Sequence, residues 1–243
     1  MMESMLINAN YYDDVKLTDE ALAYLKPFKR IGLYAAIQFA ERLTTVLEQL
    51  KEHDVVSCQP ERTHTRFQIL GCDCYKSNFD HELPDVFLYI GDGLFHPRAL
   101  VIMQKDQKDY VDIACFDPIA QSLRILDETH GAPIFKKYKA GLMKFMNAQN
   151  IGLFVTVKWG QQQFRISQKL EKAYPDKRVY TFVGNTLERN TLEDFPFIDQ
   201  WVNTACPRIG FDDNIDSAVT MINITDALQV KDILSRDSLL TRA

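Results

Sequence analysis

The sequence lacks the features that mark membrane, secreted and nucleic-acid-binding proteins. It contains no run of about 18 or more apolar residues, so we expect no membrane-spanning helix. Its first residues, MMESMLINANYYDD, show no basic start followed by an apolar stretch, so we expect no secretory signal and a cytoplasmic location. The formal net charge is −5 and the densest basic cluster is KKYK at 136–139, which argues against direct binding to nucleic acid.

Cysteine is scarce, with five residues in a chain of 243. The count is odd, no secretory signal is expected and the chain is long enough to build a large core, so a disulfide framework is a poor interpretation. Buried thiols are the ordinary alternative for any one of these residues. The five are Cys58, Cys72, Cys74, Cys115 and Cys206.

Two segments of the chain resemble each other, IGLYAAIQF from Ile31 and IGLFVTVKW from Ile151, which begin 120 residues apart. Each opens with an apolar run that is typical of a buried parallel strand, and an amphipathic stretch that is typical of a helix follows. A second apolar run comes at Val55–Val56 in the first copy and at Val179–Val183 in the second. Strand, helix, strand in this order predicts a βαβ unit with a right-handed crossover.

Further elements are predicted between the two copies. The apolar runs Val86–Ile90, Leu100–Met103 and Tyr110–Phe116 predict strands, and Pro118 is expected to end the last of them. Apolar residues at helical spacing predict a helix from about Ile134 to Gln149.

These elements predict an α/β protein made of two similar domains, each with a parallel sheet flanked by helices. We expect the first domain to cover residues 1–135 and the second to cover residues 136–243. No low-complexity segment or long linker separates them.

Candidate functional residues lie near the predicted strand ends, because ligands of open α/β sheets gather at the carboxyl ends of strands. In the motif GCDC, Gly71 would let the backbone approach a bulky group. Cys72 and Cys74, two positions apart, could both face a metal or a cluster, although this spacing alone is a weak signal.

The motif GDGLFHP follows the predicted strand Val86–Ile90 directly. Gly91 and Gly93 would leave backbone amides available to an anionic group, and His96 should be held extended by Pro97. A tight turn with a packed histidine is the alternative interpretation.

The motif WGQQQ follows the first strand of the second copy. Gly160 would lie at the turn into a helix, where the backbone amides of Gln161 and Gln162 could hold a carboxylate or phosphate. The alternative is an ordinary helix start with solvated glutamines.

The motif ACPRIGFDD combines a cysteine, a proline and an arginine. Pro207 would hold Cys206 rigid, which suits a fixed metal ligand. Arg208 could neutralise a thiolate cluster or bind a carboxylate, with Asp212 and Asp213 as its anchors. A buried cysteine beside a structural salt bridge is the alternative.

The repeat and the cysteines suggest a shared centre. Cys72 lies 41 residues after Ile31 and Cys206 lies 55 residues after Ile151, so each copy delivers one cysteine at a comparable late position. A third copy would supply a third thiolate, and three thiolates on a four-iron cluster leave one iron open for a substrate.

The segments QILGCDCY, YIGDGLFHP, FDP, VKWGQQQ and FIDQWVNTACPRIGFDD, in this order, resemble the second and third domains of the 3-amino-3-carboxypropyl transferase family of diphthamide synthesis. The resemblance covers essentially the whole chain. It implies a non-classical radical enzyme in which three α/β domains each supply one cysteine to a [4Fe-4S] cluster. It also implies that S-adenosylmethionine is the substrate, cleaved between sulfur and Cγ, and that a histidine of translation elongation factor 2 accepts the 3-amino-3-carboxypropyl group.

For this chain, the resemblance implies that Cys72 and Cys206 are the second and third cluster ligands. The segments Gly91–His96 and Gly160–Gln162 would line the S-adenosylmethionine pocket, and Arg208 would balance the charge of the cluster. The family also implies dimers.

The first domain of the family and its cysteine have no counterpart in this sequence. A separate chain could supply the missing thiolate, Cys74 or Cys58 could replace it, or the cluster could be absent. We expect a homodimer, or a heteromer with a chain that supplies the missing domain. Cys115 lies inside an apolar strand and is expected to be a core residue. Two other functions therefore stay open, a non-catalytic partner subunit and the same chemistry on another acceptor.

Overall fold

The structure, a computed structural model, describes residues 9–158, 164–211 and 219–243. The chain divides into two compact units, each built around its own sheet and flanked by helices. Both sheets are mainly parallel, which confirms the predicted α/β class. No helix in the described ranges is long and apolar enough to cross a membrane.

A short segment that interrupts the sequence of the first unit belongs to the second unit. The first unit comprises Met1–Gln104 and Tyr110–Thr129, and the second comprises Lys105–Asp109 and His130–Ala243. The prediction that residues 1–135 and 136–243 correspond to the second and third domains of the transferase family stays a prediction.

The first unit contains a five-stranded sheet in the order β2-β1-β3-β4-β5. Its first four strands are parallel, and the last is antiparallel to its neighbour. The strands are β1 (Arg30–Ala35), β2 (Asp54–Val56), β3 (Val86–Ile90), β4 (Ile113–Asp117) and β5 (Ser122–Leu126). The helices are α1 (Asp19–Leu25), α2 (Ile37–Ala40), α3 (Thr44–Gln49) and α4 (Pro97–Met103), with a 3₁₀ turn at Lys76–Asn78.

The second unit contains a four-stranded parallel sheet in the order β7-β6-β8-β9. The strands are β6 (Asn150–Thr156), β7 (Arg178–Gly184), β8 (Gln200–Asn203) and β9 (Met221–Asn223). The long helix α5 (Glu128–Asn147) precedes them. The remaining helices are α6 (Phe164–Ala173), α7 (Arg189–Leu192), α8 (Ile224–Ala227), α9 (Val230–Ser235) and α10 (Leu239–Arg242), with a 3₁₀ turn at Pro207–Ile209.

The repeat predicted from the sequence is present in the packing of both sheets. A Cβ added to Gly32 would lie 2.7 Å from Cδ1 of Phe87 on the neighbouring strand. A Cβ added to Gly152 would lie 2.5 Å from Cε3 of Trp201, again on the neighbouring strand. In each unit, the glycine of the central strand therefore makes room for an aromatic ring that closes the core.

An aspartate before the third strand of each unit holds the start of the central strand. A carboxylate oxygen of Asp85 accepts hydrogen bonds from the backbone N–H groups of Lys29 and Arg30, at 2.9 and 2.8 Å. Asp199 accepts the same pair of bonds from Gln149 and Asn150, at 3.0 and 2.8 Å. These backbone hydrogen bonds lower the pKa of both carboxyl groups below their usual value.

Asp85 and Asp199 should make the free energy of unfolding depend on pH under acid conditions. Because the folded pKa lies below the unfolded value, their contribution is present above the ordinary pKa of 3.8 and disappears as pH falls through the folded pKa. We therefore expect urea unfolding of D85N and D199N to depend less steeply on pH than the wild type between about pH 5 and pH 2. Identical slopes in this window for both variants and the wild type would contradict the assignment.

The predicted strand Leu100–Met103 is wrong, because these residues form the end of helix α4. Pro97 occupies the first turn, where a missing backbone N–H costs nothing and its fixed φ favours a helix. Every residue of α4 except Arg98 is buried, so its apolar run has no polar face to reveal a helical period. A short, fully buried helix and a buried strand cannot be distinguished by hydrophobic pattern alone.

Other predicted elements differ in their bounds. The helical stretch after β1 is broken into α2 and α3, and α5 begins at Glu128, earlier than the predicted Ile134. Strand β5 was not predicted, because its alternately exposed and partly buried residues carry little apolar signal.

Candidate functional site

The loop that carries Cys72 begins at the carboxyl end of β1. The backbone N–H of Ala35 donates to the carbonyl of Phe67 at 2.7 Å, and the N–H of Ile69 donates back to the carbonyl of Ala35 at 3.1 Å. This pairing places the GCDC motif at the edge of the sheet where ligands of α/β proteins gather. The Cys72 side chain is partly exposed there.

Buried hydrogen bonds of Asp73 hold the loop with the GCDC motif in place. Asp73 is 1% exposed, and its carboxylate accepts the backbone N–H of Leu70 at 2.8 Å and the side-chain amide of Asn78 at 3.3 Å. Burial raises the pKa of Asp73. Nη1 of Arg62 donates a hydrogen bond to Sγ of Cys72 at 3.9 Å, so a positive charge lies beside this sulfur.

The GCDC and GDGLFHP motifs lie side by side. A Cβ added to Gly71 would lie 2.5 Å from Cε1 of Phe95, so the bulky group that this glycine admits is the Phe95 ring. The ring is 58% exposed and meets the imidazole of His96 edge-on at 5.3 Å. The structure therefore joins Cys72 and the 91–96 segment into one surface of the first unit.

Both glycines of the GDGLFHP segment have positive φ angles. Gly91 and Gly93 have φ of 155° and 64°, which other residues rarely adopt, and a Cβ on Gly93 would enter open space. The expectation that His96 is extended is wrong, since it has φ −73° and ψ −46°. Its carbonyl accepts the N–H of Ala99 at 2.9 Å, so the start of the buried helix α4 outweighs the local preference of a residue before proline.

The other cysteines of the first unit lie in the core. Cys58 and Cys115 are each 6% exposed and Cys74 is fully buried. Burial raises the pKa of Cys58, and it raises the pKa of Cys115 to about 12. Sγ of Cys58 lies 3.2 Å from the Tyr34 hydroxyl, which in turn lies 2.5 Å from Nε2 of His81.

This placement favours Cys72 over Cys58 and Cys74 as a ligand. Within the described residues, no three His, Cys, Asp or Glu side chains are grouped to hold a metal ion, so the GCDC loop alone does not complete a metal site. All five cysteines lie in the described ranges, and none forms a disulfide.

Cys206 lies at the carboxyl end of β8, in the second unit. The Asn203 side chain accepts the N–H of Ala205 at 2.8 Å and donates to the carbonyl of Cys206 at 2.9 Å. The Cys206 side chain is partly exposed, and Pro207 begins a 3₁₀ turn directly after it. Arg208 is only 2% exposed, so it is an internal residue of this loop. Asp212 and Asp213, its proposed anchors, lie outside the described residues.

The two cysteines do not occupy equivalent positions of the repeat. Cys72 precedes the third strand of its unit, whereas Cys206 follows the third strand of its own. The expectation that each copy delivers its cysteine at a comparable position is therefore wrong, because the connections before the third strands differ in length. What the two residues share is exposure in a loop at the carboxyl end of a strand.

Gly160, Gln161 and Gln162 of the WGQQQ motif lie outside the described residues, so their predicted role stays a prediction. The structure adds four residues that the sequence alone did not single out as supports of the two loops. Their signal was weak, because isolated Asn and Asp residues are common in turns. They are Asp73, Phe95, Asn203 and Asn223.

A cysteine labelling experiment tests this placement. In the iron-free protein under native conditions, Cys72 and Cys206 should react with iodoacetamide at least about tenfold faster than the other three cysteines, because exposed thiols that can ionise are the reactive ones. Peptide mass spectrometry over a time course measures all five rates in one sample. Equal rates before denaturation, or early modification of Cys115, would contradict the described burial.

The chain matches the model of the diphthamide synthesis protein family over residues 6–230. It is 30% identical over 150 residues to the 2-(3-amino-3-carboxypropyl)histidine synthase of Pyrococcus horikoshii, covering 60% of this chain and 40% of that protein. It is 24% identical over 195 residues to subunit 1 of the same synthase from Dictyostelium discoideum, covering 77% of this chain and 40% of that subunit.

Among solved structures, the fold is similar to the crystal structure of Dph2 from Pyrococcus horikoshii with a 4Fe-4S cluster. The TM-score is 0.69 at 21% identity, with 92% of this chain and 61% of that chain covered. At this identity the likeness shows the fold. The chain spans about 40% of the length of the curated relatives described above.

Proposed function

Because the chain belongs to the diphthamide synthesis protein family, we propose that it takes part in transferring a 3-amino-3-carboxypropyl group from S-adenosylmethionine to a histidine of translation elongation factor 2. The observation that carries this proposal is the family match over residues 6–230, which includes both loops with partly exposed cysteines. The names of the related synthases support the reaction class. An acceptor that works in translation would place the reaction in the cytoplasm.

Cys72 and Cys206 are the residues that would hold a [4Fe-4S] cluster. Both side chains are partly exposed in loops that buried polar contacts hold in place, and thiolates are the usual ligands of such clusters. Arg62 beside Cys72 adds positive charge next to one of them. When bound, the cluster would supply the electron that cleaves S-adenosylmethionine between sulfur and Cγ.

The neighbouring segments of the first unit would bind the substrate. A Cβ at position 93 would have no atom within 4 Å, so the space beside Gly93 is open. Gly93 has a left-handed φ of 64°, which forms a turn next to this space. Backbone amides in such turns bind carboxylates, so the 91–93 turn would hold the amino-acid end of S-adenosylmethionine. His96 stands beside the exposed Phe95 ring at the same edge. Arg208 would balance the cluster charge from within the Cys206 loop, and the role of Gly160, Gln161 and Gln162 in binding S-adenosylmethionine stays a prediction.

A third thiolate would come from another chain. Two partly exposed cysteines are one fewer than the three that leave a single open iron on a four-iron cluster, and Cys58 and Cys74 are buried. The chain spans about 40% of its curated relatives, and the Dictyostelium relative is named as a subunit. We therefore propose an assembly, either a homodimer or a heteromer, in which a second chain supplies the third cysteine.

A non-catalytic partner subunit is the second candidate function, since the Dictyostelium relative is named as a subunit. A non-catalytic subunit would bind elongation factor 2 and a catalytic chain. The assembly would then still transfer the 3-amino-3-carboxypropyl group after both Cys72 and Cys206 are replaced. The same transfer to another acceptor is a third candidate. The retained, partly exposed cysteines favour the catalytic proposal over the second candidate.

The test is a transfer assay with the native assembly. S-adenosylmethionine labelled in its aminocarboxypropyl carbons is added with dithionite, under anaerobic conditions, to the assembly isolated from its host and to purified elongation factor 2. The proposal predicts label on one histidine of the factor. Label on another protein of a host lysate would support the third candidate, and absence of label with an iron-loaded assembly would overturn the proposed reaction.

A further inference from the structure

The Cys206 loop rests on two buried asparagine side chains from neighbouring strands. Asn203 ends β8 and Asn223 ends β9, and the two residues are paired in register. They are only 1% and 3% exposed. Nδ2 of Asn203 donates to Oδ1 of Asn223 at 3.0 Å, so the two amides form one unit, which we call the asparagine pair.

The asparagine pair binds the backbone on both sides of the Cys206 thiol. Asn203 accepts the Ala205 N–H at 2.8 Å and donates to the Cys206 carbonyl at 2.9 Å. Asn223 donates to the Pro207 carbonyl at 2.9 Å. Three consecutive residues are therefore held by side-chain amides, which fixes the direction of the Cys206 side chain between them.

The far end of the loop closes against the same pair. A Cβ added to Gly210 would lie 2.5 Å from Oδ1 of Asn223, a distance that Cβ atoms essentially never show. The loop therefore approaches the Asn223 amide at a position that has no room for a larger residue than glycine. Its path is set by this contact as well as by the hydrogen bonds.

A buried chain of two hydrogen bonds and one ion pair supports the asparagine pair through Asn223. The Asn223 N–H donates to the Tyr138 hydroxyl at 3.0 Å, and this hydroxyl donates to Asp226 at 2.6 Å. The other carboxylate oxygen of Asp226 lies 3.4 Å from Nζ of Lys105, which is 1% exposed. Breaking one member of such a network leaves a buried polar group or charge without compensation, so the network tolerates few arrangements.

We propose that Asn203 and Asn223 are positioning residues that fix the Cys206 thiol for binding the cluster. The inference rests on the proposed function for the role of Cys206, and on the hydrogen bonds above for the role of the pair. A set of buried amides whose bonds end on residues 205, 206 and 207 orders the cysteine-bearing backbone, whereas apolar residues would fill the same space without directing it.

The first test uses N223D, which keeps the shape of the side chain and removes the donor to the Pro207 carbonyl. Iron-free protein is treated with 4,4′-dithiodipyridine, and the rate at Cys206 is divided by the rate at Cys72 in the same chain. At pH 7 we expect this ratio to rise about tenfold over the wild type, which corresponds to the loss of one buried hydrogen bond. The matched control N147D changes an exposed asparagine of the same unit, with the same change in charge, and should leave the ratio unchanged.

The pH dependence of the Cys206 to Cys72 rate ratio distinguishes the loss of the hydrogen bond to Pro207 from a general loosening of the second unit. Below about pH 4 the introduced carboxyl is protonated and regains a donor for the Pro207 carbonyl. The Cys206 to Cys72 ratio of N223D should therefore return toward the wild-type value at low pH. A ratio that stays at the wild-type value at pH 7, or one that stays raised after protonation, would overturn the proposal.

A second variant and a spectrum of the reconstituted cluster complete the test. If N223D does not fold, as judged by circular dichroism, Y138F removes the hydroxyl beneath the pair while keeping the ring, and should raise the ratio about threefold. After anaerobic reconstitution with the partner chain, the reduced cluster of the variant should show altered g-values in its electron paramagnetic resonance spectrum. If the wild-type assembly holds no cluster, the proposed function fails, and the thiol ratio still decides whether the pair positions Cys206.

Discussion

Replacing either Cys72 or Cys206 by alanine is expected to lower transfer by about a thousandfold or to background in the anaerobic assembly. The proposed cluster has only three protein thiolates, so losing one removes a covalent bond to iron and opens a second iron to solvent. The loss should appear in the iron content and visible absorbance before any substrate is added. Colorimetric iron analysis and the labelled-substrate assay measure the two effects on the same sample.

The control for this prediction is Cys115→Ala, which removes a buried thiol of β4 whose pKa burial raises to about 12. It should retain iron and activity within about threefold, and lose only stability, because it removes one buried atom from the core. If C72A and C206A kept full iron and full transfer, while C115A lost them, the assignment of the ligands would be wrong. If both keep transfer in a heteromer, the chain is the non-catalytic subunit.

Replacing Gly152 by alanine is expected to destabilise the second unit by about 3 kcal/mol. The added Cβ would lie 2.5 and 2.6 Å from two atoms of the Trp201 ring and 2.9 Å from Cγ2 of Ile198. Trp201 is 3% exposed and packed in the core cluster, so its ring has no open space to enter. Urea unfolding followed by tryptophan fluorescence measures the change.

Gly184→Ala is the matched control for this substitution. Gly184 lies at the end of the edge strand β7, and an added Cβ would lie 3.2 Å from Cε2 of Phe154, a contact that a small shift relieves. We expect a change below about 1 kcal/mol. Equal destabilisation by the two substitutions would mean that the glycine–aromatic contact is not what requires Gly152.

The central strands could be predicted from the sequence because their signal is local. The apolar runs from Ile31 and Ile151 are buried and followed by a change of period, so the sequence predicted β1 and β6 to within one residue of their starts at Arg30 and Asn150. The glycine of each run was visible in the repeat as well. Its partner ring was not, since Phe87 and Trp201 lie on other strands and reach the glycine only through the sheet.

The two candidate loops show what the sequence could not reveal. The motifs identified Cys72 and Cys206, but the buried supports depend on tertiary contacts across strands and turns. Asn203 and Asn223, for example, are 20 residues apart and meet only because β8 and β9 pair in register. The GCDC and GDGLFHP motifs likewise meet only where the Phe95 ring covers Gly71.

The most direct test of the account is the iron content and Mössbauer spectrum of the assembly, isolated anaerobically from its host after growth with ⁵⁷Fe. The account predicts a brown protein with about four irons per active unit, one of which changes its signal when S-adenosylmethionine is added, as a cluster with one open iron requires. A colourless assembly that stays free of iron after reconstitution with iron, sulfide and its partner chain would contradict the account.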